Sequence, residues 1–182
     1  MRKIVAGLFI SLDGVVEAPE TWHFAYFNDE MGEIVGGQMA EADTMLLGRR
    51  TYEEFASYWP NATDGPIATQ MNGTPKLVAS RTLREVTWQN ARLLGDDVAA
   101  ELTALKAGPG KDIGITGSPT LVRSLIAAGV LDELRLLIHP IVVGSGKRLF
   151  EGDELARTGL KLLDTKTLST GVIYARYAPS GR

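Results

Sequence analysis

The chain has 182 residues, enough for one domain with a sizeable core, and we expect residues 1–182 to form a single domain. Hydrophobic residues make up 45% and charged residues 23%, a soluble globular composition, and a net charge of −3 leaves no electrostatic footprint for nucleic acid. The absence of cysteine excludes a disulfide scaffold, a thiolate zinc site and a cysteine nucleophile. No apolar run reaches membrane-spanning length. The run Ile4 to Ile10 is too short for a signal peptide and has no small-residue cleavage site, so the cytoplasm is the expected location.

In chain order, Lys3 to Ser11 reads as a first strand covered on both faces, ended by Leu12-Asp13-Gly14. Val15 to Phe27 crowds Trp22, His23, Phe24, Tyr26 and Phe27 together with neither period. It reads as a loop, either a binding lid or a connection pinned to the core by its rings. A helix begins at Asn28, with Met31, Ile34, Val35, Met39 and Ala42 on one face and Gly36-Gly37 weakening its middle. Thr44 to Leu47 is a short strand ended by Gly48. Thr51 and Glu54 stand in capping-box spacing for the next helix.

Asn61 to Thr74, polar with glycine and proline, reads mostly as loop, and Lys76 to Ala79 as a strand. Glu85 to Leu94 reads as one or two short strands. Asp96 or Asp97 caps a helix that Gly108-Pro109-Gly110 terminates. A βαβ unit then organises the chain. Ile113 and Ile115 mark a buried strand, Ser118-Pro119 an N-cap with proline at the first helical position, Gly129 the helix stop, and Leu134 to Ile138 the second strand. Leu160 to Thr167 and Val172 to Tyr177, separated by Ser169-Thr170-Gly171, form a closing hairpin. The fold class is therefore α/β, a three-layer αβα sandwich whose mostly parallel mixed sheet ends in an antiparallel C-terminal hairpin.

Three strand ends carry groups suited to phosphate. Gly48, Arg49, Arg50 and Thr51 offer a helix N-terminus, a hydroxyl and two guanidinium groups. Gly117, Ser118 and Thr120 open a second helix, and Ser80, Arg81 and Thr82 set a guanidinium between two hydroxyls. Two helix ends holding a pyrophosphate and a third site holding a separate phosphate match a dinucleotide with a 2′-phosphate. Taken singly, Ser118 and Thr51 also read as simple caps, and Arg49, Arg50 and Arg81 as solvated charges. The two histidines, His23 and His139, are too few for a metal site, so none is assigned.

Leu46-Leu-Gly-Arg-Arg-Thr-Tyr-Glu53 resembles the Gly-Arg-x-Thr motif of dihydrofolate reductases. Val78-Ala-Ser-Arg-Thr82 is similar to the segment those enzymes place against the adenosine 2′-phosphate, and Ile115-Thr-Gly-Ser118 to their paired-glycine turn, with Ser118 in place of the second glycine. Ser11-Leu-Asp-Gly14 and Val143 to Phe150 look more like the reductase domain of bacterial riboflavin-biosynthesis deaminase-reductases. The resemblance implies a dihydrofolate-reductase-like fold, NADPH as cofactor, hydride transfer to a pyrimidine- or pterin-like small molecule, and a homodimer as on the riboflavin side. A reductase of 5-amino-6-(5-phosphoribosylamino)uracil type is the first reading. A dihydrofolate reductase proper and a non-catalytic NADP-binding sensor are the alternatives.

The buried acid of dihydrofolate reductases has no clear counterpart in Asn28-Asp29-Glu30, and no zinc-binding deaminase segment precedes the motifs. Asp29 is the candidate for that acid, and His139 a polar group closing the substrate pocket. Asp13, at the carboxyl end of the first strand, is the leading proton donor, on the expectation that partial desolvation raises its pKa. Glu17, His23 and Glu30 are further candidates.

Overall fold

A computed structural model describes residues 1–63, 65–153 and 155–180. Its strands are β1 (Ile4–Ser11), β2 (Ala42–Gly48), β3 (Lys76–Ala79), β4 (Ala91–Leu93), β5 (Asp112–Thr116), β6 (Glu133–His139), β7 (Leu160–Thr167) and β8 (Ile173–Pro179). Its helices are α1 (Asp29–Glu41), α2 (Arg49–Tyr58), α3 (Pro66–Gly73), α4 (Val98–Ala107) and α5 (Pro119–Ala127). The strands form one sheet in the order β4-β3-β2-β5-β1-β6-β8-β7. The first six in that order are parallel, and β8 and β7 close the far side antiparallel, as expected from the hairpin signal.

β1 shows why the sheet is covered on both sides. Ile4, Ala6, Leu8 and Ile10 pack with Leu102 of α4 and Val122, Leu125 and Ile126 of α5. Phe9, of opposite parity, joins Leu137 and Met31 of α1 on the other face. Leu47 and Val78 meet Tyr52 of α2 and Met71 of α3 in a third apolar cluster. These two faces and the sheet between them are the three expected layers.

Several local expectations change. Pro66–Gly73 is a helix, not loop. Proline occupies its first turn, Ala68 and Met71 bury one side three residues apart, and a stretch this short hides its period among polar residues. Between Glu85 and Leu94 only Ala91–Leu93 is strand, and the connection before it buries Trp88. Asp97, not Asp96, caps α4 by accepting from the Ala100 amide at 2.9 Å. α2 begins at Arg49, so Thr51 lies inside its first turn and the capping-box reading fails.

Charge is buried at the amino end of the sheet. Glu133 Oε1 accepts from Arg135 at 2.8 Å and Arg176 at 2.6 Å, while Arg135 reaches Glu41 at 2.6 Å. Burial pushes the Glu133 carboxyl up, but the two guanidinium groups outweigh it and hold the pKa at about 2. This network lies at the opposite end of the strands from Gly48, Gly117, Asp13 and His139.

Candidate functional site

Because the six strands run parallel, their carboxyl ends share one edge. Neighbouring strands there end in Ser80-Arg81-Thr82 (β3), Gly48 (β2), Gly117-Ser118 (β5), Ser11 to Asp13 (β1) and His139 (β6). The structure thus brings the three expected phosphate stations side by side on β3, β2 and β5, with Asp13 and His139 on the next two strands. In an open parallel sheet this edge is where ligands bind.

The two glycine turns are fastened together. Ser118 Oγ accepts from the Gly48 amide at 2.8 Å and lies 2.8 Å from Thr51 Oγ1. Ser118 precedes α5 as expected, but its backbone is left-handed (φ 58°, ψ 60°) and its side chain caps nothing in its own helix. Neither Ser118 nor Thr51 is therefore a cap; each holds the other's turn. Gly117 sits at φ 72°, and a Cβ there would lie 3.1 Å from Thr51 Oγ1. A Cβ on Gly48 would lie 2.8 Å from Ser118 Oγ. Glycine at both positions lets the turns touch and leaves the first-turn amides of α2 and α5, which lack helical partners, facing the edge.

The other candidates divide. Arg49 pairs with Glu53 one turn along its own helix at 2.9 Å, whereas Arg50 is exposed with no partner among the described residues. Ser80 Oγ accepts from the Thr82 and Leu83 amides at 3.2 and 3.0 Å, so it shapes its own turn. That turn presents Arg81, exposed and without an ion-pair partner among the described residues. Thr120 is exposed and accepts a long bond from Arg123 at 3.4 Å. A groove of about 300 Å³ between Arg123, Phe150, Leu155 and Leu160 uses none of the three phosphate stations.

Asp13 requires a correction. Its carboxylate accepts from Ser11 Oγ at 2.6 Å and from the amides of Val143 and Gly144 at 3.0 and 2.8 Å. Arg148 adds a contact at 3.5 Å and donates to the Asp13 carbonyl at 2.9 Å. The Ser11 hydroxyl and these amides hold the carboxyl well below the usual range. The expected raised pKa is therefore wrong, because donors outweigh desolvation; Asp13 is an ionised anchor for the 141–148 segment. Asp13→Asn should loosen that segment, increasing proteolysis there and lowering the melting temperature at neutral pH. A carboxyl with a lowered folded pKa contributes fully above its ordinary value of 3.8 and loses that contribution as pH falls below it. The gap in melting temperature between parent and variant should therefore shrink in acid, and a gap independent of pH would contradict the anchor role.

Asp29 is exposed in the first turn of α1, which Asn28 caps by accepting from the Met31 amide at 3.0 Å. Glu30 accepts from the Ser169 amide at 2.8 Å and the Ser169 hydroxyl at 2.5 Å, tying α1 to the β7–β8 turn. Led by Ser169, these bonds hold its pKa down to about 2, so Glu30 is not a proton donor. Glu17 likewise accepts from the Lys147 amide at 3.2 Å.

His139 is fully buried at the end of β6, and His23 is 6% exposed. Phe9 stacks on His23 at 4.5 Å, and the Phe24 ring tilts against it at 4.1 Å. Trp22 and Tyr26 set ring edges against His139 at 5.2 and 5.7 Å. Burial pushes both imidazoles down, and His23 is lowered further by His139, so both are neutral near pH 7. In the aromatic segment Trp22 and His23 are buried, as expected for a connection pinned to the core by its rings, while Phe24 and Phe27 stay 65% and 48% exposed. Phe9 and Arg148 were not legible as site residues. The parity of β1 was the available signal for Phe9, since it shares a face with Ser11.

The sheet order, the paired glycine turns and the arginine beyond β3 define a dihydrofolate-reductase-like α/β domain. More particularly, the chain belongs to the RibD C-terminal domain family, whose model matches residues 2–174. It is 34% identical over 185 residues to the uncharacterized protein YyaP of Bacillus subtilis, covering 99% of this chain and 96% of that one. In fold it is similar to a pyrimidine reductase-like protein from Corynebacterium diphtheriae, with a TM-score of 0.71, 16% identity and coverage of 100% and 93%. It is also similar to the dihydrofolate reductase of Enterococcus faecalis complexed with NADP(H), with a TM-score of 0.63, 14% identity and coverage of 98% and 97%. No helix among the described residues is long and apolar enough to cross a membrane.

Proposed function

We propose that the protein is an NADPH-dependent oxidoreductase that transfers a hydride to a pyrimidine- or pterin-like small molecule. A 5-amino-6-(5-phosphoribosylamino)uracil reductase or a stand-alone relative with a different ring substrate is the reading favoured by family membership. The carrying observation is the adjacency of the Arg81, Gly48–Thr51 and Gly117–Ser118 turns along one sheet edge. The residues fit the cofactor: a turn with no side chain at Gly117, helix-end amides beside it, and, one strand beyond Gly48, a guanidinium with no ion-pair partner among the described residues.

The bound dihydronicotinamide would supply the hydride. Gly117 and Ser118 with the first turn of α2 would hold the pyrophosphate, and Arg50 and Thr120 stand at the rims of the same turns. Ser80 and Thr82 shape the turn that carries Arg81, which would select the 2′-phosphate. Asp13 and Arg148 fix the segment beside β6, and the aromatic loop excludes water from the ring site. With Asp13, Glu17 and Glu30 engaged as hydrogen-bond acceptors, Asp29 exposed and His139 neutral, water would deliver the proton. Dimerisation and a cytoplasmic location belong to the same reading.

Arg81 provides the test. A charge-assisted hydrogen bond contributes about 1.5–3 kcal/mol, so NADPH should bind roughly ten- to a hundredfold more tightly than NADH. Arg81→Ala should remove most of that difference in titration calorimetry. Equal affinities in the parent chain would sink the assignment.

A further inference from the structure

The aromatic cluster holds two unanswered polar atoms. His139 Nδ1 lies 2.8 Å from the Leu137 carbonyl, which can only accept, so Nδ1 carries the proton. Nε2 is then a lone-pair acceptor, and it is buried without a partner. His23 Nδ1 is likewise buried and unpartnered. The two rings stand 6.2 Å apart and nearly perpendicular. Leaving one such group unpaired in a core is unfavourable, and two in one cluster point to a partner that the polypeptide does not supply.

The covering segment is thinly fastened. Between Gly14 and Asn28 it contains two single 3-10 turns, Pro19–Thr21 and Phe24–Tyr26, and Ala18 takes a left-handed backbone at φ 45°. Its amino end is held by Val16, which donates to the Lys147 carbonyl at 2.9 Å, and by Glu17, which accepts from the Lys147 amide at 3.2 Å; beyond Pro19 its outward polar ties include Tyr26 to the Pro140 carbonyl at 3.4 Å. The His23 ring itself lies flat on Phe9, with the Phe24 ring tilted against it by 37°.

We propose that His139 is the acceptor that selects a flat heterocycle bearing N–H groups, which takes the place of the His23 ring when the 19–27 segment swings outward. The ring takes a place against Phe9, and an amino or ring N–H donates to His139 Nε2. His139 is then a specificity-determining residue rather than a proton donor, because its lone pair is used as an acceptor and its own proton is held by Leu137. The inference rests on the reductase reading only for the class of ring.

Two probes of equal shape separate the outcomes: 2,4-diaminopyrimidine, which has N–H donors, and 2,4-dimethylpyrimidine, which has none. Binding to the full chain in mildly alkaline buffer is followed by calorimetry and by the fluorescence of Trp22, whose ring borders His139. The parent should prefer the diamine by roughly 5- to 100-fold, the effect of leaving a buried acceptor unpaired. His139→Phe should lose that preference while melting near the parent temperature, since removal of an unsatisfied acceptor offsets the lost bond to the Leu137 carbonyl. His23→Phe, which keeps a ring stacked on Phe9 and leaves His139 in place, provides a second variant and should retain the preference; its loss there would overturn the assignment to His139. Binding of both probes equally, binding of neither, or a preference retained in His139→Phe would overturn the proposal and leave the two nitrogens to water. Loss of NADPH binding in the parent with the diamine preference intact would instead overturn the reductase reading alone.

Discussion

Gly117→Val is expected to abolish useful NADPH binding and to lower stability at the same time. Gly117 sits at φ 72°, where a β-branched residue is strained. Its Cβ would lie 3.1 Å from Thr51 Oγ1 and 3.3 Å from Thr51 Cγ2, pressing on the bond that joins Thr51 to Ser118. Backbone strain of this kind costs about 1–3 kcal/mol. For a chain of this size that corresponds to a melting temperature lower by about 2–12 °C. Two charge-assisted bonds to a pyrophosphate, at about 1.5–3 kcal/mol each, would be lost as the turns separate, weakening NADPH by roughly 10²–10⁴-fold. Calorimetric titration beside a thermal melt distinguishes the roles. A variant that melts early yet binds NADPH like the parent would make Gly117 purely structural.

Lys76→Met should be the most destabilising single change remote from the site. Lys76 is fully buried at the start of β3. Its ammonium donates to the carbonyls of Asn72, Thr74 and Gln89 at 3.1, 2.8 and 3.1 Å and stands 4.1 Å over the Trp88 ring. Methionine has similar length and no donor. The Asn72 carbonyl keeps a bond from Asn90 at 3.0 Å, but the other two lose this donor. We expect a loss of about 2–4 kcal/mol, or about 4–16 °C in melting temperature. Burial pushes the Lys76 pKa down from 10.5 to about 8, although the carbonyls and the ring favour the charged form. The unfolded chain then binds more protons between those two values, so parent stability rises with pH across that window. Lys76→Met lacks that slope, so the gap between the two proteins should widen in alkali. Denaturant midpoints at pH 8 and pH 10 provide the measurement, and a gap that narrows would contradict this account.

Much of the fold was legible because its signals are local. The βαβ unit from Asp112 to His139 could be read from two apolar runs, Gly117, Pro119 and Gly129, each of which restricts its own backbone. The hairpin turn at Ser169 to Gly171 announced itself in the same way. α3 escaped notice because eight residues give too few turns for a period to stand out from polar neighbours. Lys76 was read only as a strand residue, since nothing in its own segment says that Trp88 and three carbonyls will surround it.

By itself the sequence determined where β2, β3 and β5 stop, and hence that Gly48, Arg81 and Gly117 lie at strand ends. It could do so because glycine, proline and apolar spacing act through steric restrictions within a few residues. Only the tertiary structure decided what those ends do. Ser118 looks like a cap until β2 is placed beside β5 and its hydroxyl meets Gly48 and Thr51, about 70 residues away in sequence. Asp13 looks like a buried acid until the amides of Val143 and Gly144, 130 and 131 positions later, arrive to keep it ionised. Protonation and hydrogen-bond partners depend on the summed field of neighbours in space, and those neighbours are chosen by strand order rather than by adjacency in the chain.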